Sequence, residues 1–110
     1  MTAKDDVTAF LMELRALIAQ DNFRIEPRNY PDMFAMGINI DGVILEVQTL
    51  TVAHYSQGPE LDDRGREGEI WIFGKDVGTV LTYIKVRVVP DDALCISFHP
   101  ARHPMPLPYK

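Results

Sequence analysis

From Glu69 to Pro100 apolar and polar positions alternate in three successive runs, Glu69–Lys75, Leu81–Val89 and Ala93–His99. Side chains along a strand point to opposite faces with period two, so each run predicts a β-strand with two distinct faces. One face collects Ile70, Ile72, Ile84, Val86, Val88, Leu94, Ile96 and Phe98 and is expected to bury against a core. The other collects Trp71, Phe73, Lys75, Tyr83, Lys85, Arg87, Ser97 and His99, an aromatic and cationic surface. Asp76-Val77-Gly78 and Pro90-Asp91-Asp92 carry the turn chemistry that joins the strands into an antiparallel meander.

Upstream the period changes. Val7, Phe10, Leu11, Leu14, Leu17 and Ile18 fall on one stripe of a helix over Asp5–Gln20, with Asp5 or Asp6 at its start. Phe23–Arg28 is short and closed by Pro27, which suits an irregular segment or a short edge strand. Pro31 can open a short helix that ends at Gly37. Asp41 can cap a further helix over Gly42–Leu50, although its β-branched content also fits a strand. Ala53–Glu60 breaks the pattern at Gly58-Pro59, and Leu61–Gly68 reads as a polar loop. The tail has proline at alternate places from Pro104 to Pro108 and should be extended. Helices first and strands afterwards predict a single α+β domain over residues 1–110. Its helices pack on one face of a three-stranded, or slightly larger, antiparallel sheet. The cationic face is then left open, or covered only by the loop and the tail.

Charge sharpens this picture. The chain carries −5 overall. Residues 1–68 hold six basic and twelve acidic residues, whereas residues 69–110 hold five and four, with His99 and His103 besides. Distant charge is screened within about 8–10 Å, so a local cationic face on an acidic protein can still meet phosphate. The longest apolar runs span only a few residues, and the start Met1–Asp6 lacks the blocks of a signal peptide. These features, with one cysteine, Cys95, lead to the expectation of a cytoplasmic protein without a membrane partner.

Carboxylates are sparse on the cationic face, which disfavours two-metal hydrolysis. His99 and His103 would need a helix to share a metal, and Pro100 and Pro104 forbid it. Neither metal nor cofactor is expected. The combination suits metal-free RNA cleavage, in which the substrate's own 2′-hydroxyl attacks. That reaction needs a base, an acid and cations for the phosphorane. His99 is the proton-transfer candidate, and an imidazole ordinarily titrates near ~6.5. Lys75, Lys85 and Arg87 are candidate charge stabilisers, and Tyr83 can donate or relay a proton. Simpler roles stand beside these. Alternating cations on a strand are commonly solvated. Trp71 and Phe73 can pack under the first helix, Tyr55 and Gln57 can anchor the loop, and His54 has no evident role.

The runs Tyr55-Ser56-Gln57-Gly58-Pro59, Ile70-Trp71-Ile72-Phe73-Gly74-Lys75, Tyr83-Ile84-Lys85 and Cys95-Ile96-Ser97-Phe98-His99 resemble the MqsR-type toxin family. These are bacterial type II toxin–antitoxin toxins with a RelE-like fold. The resemblance covers Val47 to the terminus, a little over half the chain. It implies a ribosome-independent mRNA interferase neutralised by a cognate antitoxin protein. In that family a strand Tyr, one residue away from a Lys, belongs to the active face, and Tyr83 and Lys85 match it. The family's last strand ends in Ser-Phe and a catalytic Lys, where this chain has His99. The best-known member has Gln where this chain has Ile72, and Lys where it has Ser56.

The expected function is therefore a metal-independent endoribonuclease toxin acting on mRNA. Tyr83, Lys85 and His99 are expected at its centre. Lys75, Arg87, Tyr55, Trp71 and Gln57 are expected to contact substrate. The alternatives are a non-catalytic RNA- or protein-binding domain, and a degenerate toxin that only binds its antitoxin.

Overall fold

The computed structural model describes residues 2–110. Helix α1 (Lys4–Ala19) buries the predicted stripe, Val7, Phe10, Leu11, Leu14, Leu17 and Ile18. Asp5 and Asp6 lie in its first turn, where the helix dipole favours them. The capping position itself is Ala3, which makes no side-chain bond. Strand β1 (Phe23–Ile25) follows, then a 3₁₀ turn over Pro27–Asn29 and helix α2 (Tyr30–Ala35). Helix α3 (Ile40–Gln48) settles the ambiguous segment as helix. Its cap is Asn39, whose side chain accepts from the Gly42 amide at 2.8 Å, and Asp41 sits in the first turn. A 3₁₀ turn (Val52–His54) leads into β2 (Tyr55–Leu61), and β3 (Glu69–Val77), β4 (Val80–Val89) and β5 (Asp92–Pro100) complete the chain. Among the described residues no helix is long and apolar enough to cross a membrane.

The sheet has five strands in the order β1-β5-β4-β3-β2, not three. β1 runs parallel to β5, so the sheet is mixed, and β2 adds an antiparallel edge. Both extra strands are irregular in sequence. β1 is three residues long, and β2 loses its alternation to two register shifts between Tyr55 and Glu60. At Gly58 the turning chain runs at φ +116, and a Cβ there would lie 2.7 Å from the Ile70 carbonyl oxygen, so only glycine fits.

The two faces of the sheet partly exchange their predicted occupants. Strand partners share a face, and Trp71 lies opposite Val86, Phe73 opposite Ile84 and Lys75 opposite Thr82. Trp71 and Phe73 therefore belong to the helix-covered face, and Phe10 of α1 stacks on Trp71 with ring centroids 4.4 Å apart. Ile70, Ile72 and Gly74 point the other way, opposite Arg87, Lys85 and Tyr83. The reason is local. Ile70-Trp71-Ile72-Phe73 is apolar throughout, so its alternation has no phase of its own. The larger rings take the deeper side, and such a stack contributes about 0.5–1.5 kcal/mol beyond its buried area.

In β5 the exchange has a different cause. Ser97 pairs with Lys85 and Cys95 with Val86, leaving Ile96 as an extra residue in a bulge. One added residue reverses every side chain beyond it. Cys95 and Ala93 consequently enter the core, and Leu94 turns to the open face. Asn29 meets the polar groups that this bulge leaves without strand partners. Its Nδ2 donates to the Ile96 carbonyl at 3.1 Å and its Oδ1 accepts from the Phe98 amide at 3.1 Å. Arg28 donates to the same Ile96 carbonyl through Nη2 at 2.9 Å.

The core joins the helices' buried faces to Trp71, Phe73, Ile84, Val86, Val88, Ala93, Cys95 and Phe98. On the other face Ile70, Ile72 and Leu94 are buried outside the main core cluster. Their cross-strand neighbours include Lys85 and Arg87, whose aliphatic stems can shield apolar surface while the charged ends stay wet.

Candidate functional site

On this open face Tyr83 and His99 stand directly opposite each other across β4 and β5. Their rings stack with centroids 5.1 Å apart and planes inclined by 10°. His99 Nδ1 lies 2.8 Å from the Pro100 carbonyl oxygen. A carbonyl only accepts, so Nδ1 carries the hydrogen, and in the neutral ring the Nε2 lone pair is left to take a proton. The Tyr83 hydroxyl is held above the ordinary phenol range, first by burial and then by the Glu60 carboxylate. It is therefore protonated at neutral pH and acts as a hydrogen-bond donor.

The pair lines a cleft of about 460 Å³. Ser97, Ser56 and Gln57 line it from the sheet, and the tail closes its far side with Arg102, His103 and the Pro104–Pro106 run. Gln57 is exposed, on the open face opposite Ile72. Ser56 is displaced into a register shift of β2, is buried, and its hydroxyl has no protein partner.

Lys85 lies two residues from Tyr83 on the same face, about 7 Å along the strand. It pairs across the strands with Ser97 and makes no ion pair or side-chain hydrogen bond among the described residues. Arg102 is likewise without a carboxylate partner among them. Arg87 shares the face, but its Nη1 lies 3.3 Å from Asp62 Oδ2. That contact ties the loop after β2 down to the sheet. The Asp62 carboxyl is held below its usual range, chiefly by the Arg64 amide and further by Arg66 and Arg87.

The remaining expected contacts lie elsewhere. Lys75 is on the helix-covered side, where Nζ meets Glu46 Oε1 at 2.9 Å, the Glu46 carbonyl at 3.1 Å and Thr49 Oγ1 at 2.5 Å. Trp71 is buried under Phe10. Tyr55 is buried on that same side, opposite Phe73, and its hydroxyl donates to the Gly58 carbonyl at 2.6 Å. These three residues are removed from the cleft by the phase of β3 and the edge position of β2. Cys95 is fully buried, and burial pushes its thiol up to about 12, so it carries no nucleophilic chemistry at neutral pH. His54 has a structural role. Its Nδ1 accepts from the Thr51 amide at 2.9 Å and closes a capping box.

The tail residues at the cleft were not expected there. A signal for their return is present in the sequence. Met105, Leu107 and Tyr109 recur at every second place between prolines, so an extended tail presents one apolar edge. That edge is half-buried and the intervening prolines are exposed. Met105 and Leu107 lie over Gly74, where an added Cβ would come within 3.0 Å of Met105 Sδ. Tyr109 stacks on Tyr55 at 5.8 Å and its hydroxyl donates to the Thr2 carbonyl.

No family model matches the chain, and no curated protein matches it.

Proposed function

We propose that the chain is a metal-independent endoribonuclease, with Tyr83 and His99 as its proton-transfer pair and mRNA as its substrate. The observation that carries this reading is the stacked pair itself. A histidine with Nδ1 fixed on a carbonyl and a protonated tyrosine share one cleft. His99 Nε2 takes the proton of the substrate's 2′-hydroxyl as that oxygen bonds to phosphorus. The bond from phosphorus to the 5′-oxygen breaks, and the Tyr83 hydroxyl supplies a proton to the leaving oxygen. Lys85 and Arg102 offset the charge that develops on the non-bridging oxygens. The products are a 2′,3′-cyclic phosphate and a 5′-hydroxyl; His99 then gives its proton up to solvent, and solvent restores the one on Tyr83.

The RelE-like architecture, the MqsR-type resemblance and a cytoplasmic toxin role with a neutralising antitoxin belong to the same proposal. The resemblance over Tyr55–Pro59, Ile70–Lys75, Tyr83–Lys85 and Cys95–His99 supports them. Cleavage of a defined mRNA by the purified chain in EDTA, with product ends identified, tests the reading. Cyclic phosphate ends from wild type and none from His99→Ala are expected. Folded wild-type protein that cuts nothing would overturn it.

A second reading is a non-catalytic RNA- or protein-binding face, including a degenerate toxin that only holds its antitoxin. It is favoured by the neutralisation of Lys75 by Glu46 and of Arg87 by Asp62, which leaves fewer cations than a strand count suggests. Binding that survives His99→Ala, weakens steeply with salt and is never accompanied by cleavage would select it.

A further inference from the structure

The cleft beside Tyr83 has two imidazoles in its walls, His99 from β5 and His103 from the tail that closes its far side. His103 is exposed and forms no ion pair among the described residues. The third histidine, His54, is spent on a backbone cap, with Nδ1 accepting from the Thr51 amide at 2.9 Å. The chain carries sixteen aspartates and glutamates, yet among the described residues none lines this cleft. A phosphate therefore meets no like charge in its walls.

A 2′,3′-cyclic phosphate is an activated diester that water can open. The step needs a base for the attacking water and an acid for the departing 2′-oxygen. Attack is in line, so water enters opposite the 2′-oxygen, at the position the 5′-oxygen has vacated. His99 stands beside the 2′-oxygen, whose proton it took during cleavage, so the base must come from elsewhere in the wall. Tyr83 does not serve. With its proton restored, its hydroxyl is held above the ordinary phenol range by burial and by Glu60. Ser56, Gln57, Ser97 and Arg102 offer no basic lone pair at neutral pH. His103 is the base that remains, since a neutral imidazole keeps one free ring nitrogen.

We propose that the cleft has a second activity, the hydrolysis of 2′,3′-cyclic nucleoside phosphates, with His103 as base and His99 as acid. The place of His99 in this step rests on the nuclease reading. His103 takes a proton from water as the water oxygen bonds to phosphorus. The bond from phosphorus to the 2′-oxygen breaks, and protonated His99 gives its Nε2 proton to that oxygen. The product is a 3′-phosphomonoester with a free 2′-hydroxyl. Both imidazoles then exchange protons with solvent and return to their starting states. Arg102 lies in the same wall as His103, without a carboxylate partner among the described residues, and holds the phosphate. Hydrolysis follows cleavage, so cyclic ends appear first and 3′-phosphate ends later.

The probe is cytidine 2′,3′-cyclic phosphate, incubated with the full chain in EDTA and followed by phosphorus NMR. Cleavage of a defined mRNA by the same protein is measured beside it. Wild type is expected to open the ring at least about 10²-fold faster than buffer. It should give the 3′-phosphate alone, because His99 serves only the 2′-oxygen, whereas unassisted hydrolysis gives both isomers. In His103→Ala the ratio of hydrolysis to RNA cleavage should fall about 10²-fold. His103→Gln, which keeps a polar side chain at this exposed position without a base, should show the same fall. Wild type that cuts RNA but opens the ring no faster than buffer overturns the second activity and leaves the nuclease reading standing. An unchanged ratio in both variants, or equal yields of the two isomers, overturns it as well. Folded wild type that does neither reaction overturns both readings.

Discussion

Lys75 Nζ lies 2.9 Å from Glu46 Oε1, on the side of the sheet away from Tyr83 and His99. A strand cation that alternation assigns to the open face is instead a clasp between β3 and α3. Lys75→Ala should therefore lower stability by about 1.5–3 kcal/mol, the scale of a hydrogen bond to a charged group. It should leave RNA cleavage unchanged once the protein is folded. Lys85→Ala should show the reverse, with a rate loss of about 10²-fold or more and little change in the melting curve. Denaturant titration beside a cleavage assay on both variants checks this pair.

Asn29 holds the bulge at Ile96 through two hydrogen bonds, one given and one received, and is itself buried. The bulge fixes which way His99 points relative to the core residues Cys95 and Ala93. Asn29→Ala leaves the Phe98 amide unmet and should cost about 1–3 kcal/mol. Asn29→Asp keeps the acceptor for Phe98 but loses the amide donor, and should destabilise through the Ile96 carbonyl. Equilibrium unfolding of the two variants separates these contributions.

His54 makes stability depend on pH near neutrality. Burial, and secondarily the Lys75 charge, lower its proton affinity below that of an ordinary imidazole. The unfolded chain then binds more protons than the folded one between the two values, so stability rises with pH there. The contribution is fully present above about 6.5 and is lost as pH falls through the folded value. Protonation also removes the Nδ1 lone pair that accepts from the Thr51 amide. His54→Gln retains an N3 acceptor without titrating and should flatten this part of the profile. Asp62 acts in the same direction in a lower window. Its depressed carboxyl contributes stability that is fully present above the ordinary aspartate range and is lost as pH falls through the folded value. Melting temperatures across the two windows distinguish the groups.

The tail is held at its end by Tyr109, which stacks on Tyr55 and bonds to Thr2. Tyr109→Ala should loosen Met105 and Leu107 from Gly74 and open the cleft on the Arg102 side. Trypsin should then cut after the exposed Arg102 faster than in wild type, since cleavage of a locally opened segment tracks its open population. RNA cleavage should fall with it, because Arg102 is part of the cleft wall. Equal tryptic rates would show that the anchor does not hold the tail.

Much of the fold was legible because its signals are local. The α1 stripe, the three strands of the meander and both turns follow from period and turn residues alone. Tyr83, Lys85, Ser97 and His99 share a face as alternation requires. What was illegible depends on partners far away in sequence. The continuous apolar run of β3 has no phase until Trp71 meets Phe10. The bulge at Ile96 exists because Asn29 and Arg28 meet its polar groups from the other end of the chain. Strand β2 carries two register shifts that erase period two, so Ser56 gave no sign that it would line the cleft. The prolines of the tail predict only extension, whereas the apolar residues between them pack on the sheet beside the cleft that Arg102 and His103 line.

The most direct measurement is cleavage of a defined mRNA in EDTA by wild type and by His99→Ala, with product ends identified. The account predicts 2′,3′-cyclic phosphate ends from wild type and a rate loss of about 10²–10⁴-fold in the variant, with RNA affinity nearly kept. Equal cleavage by both proteins would contradict the role of His99. No cleavage by either, from folded protein that still binds RNA, would contradict the nuclease itself.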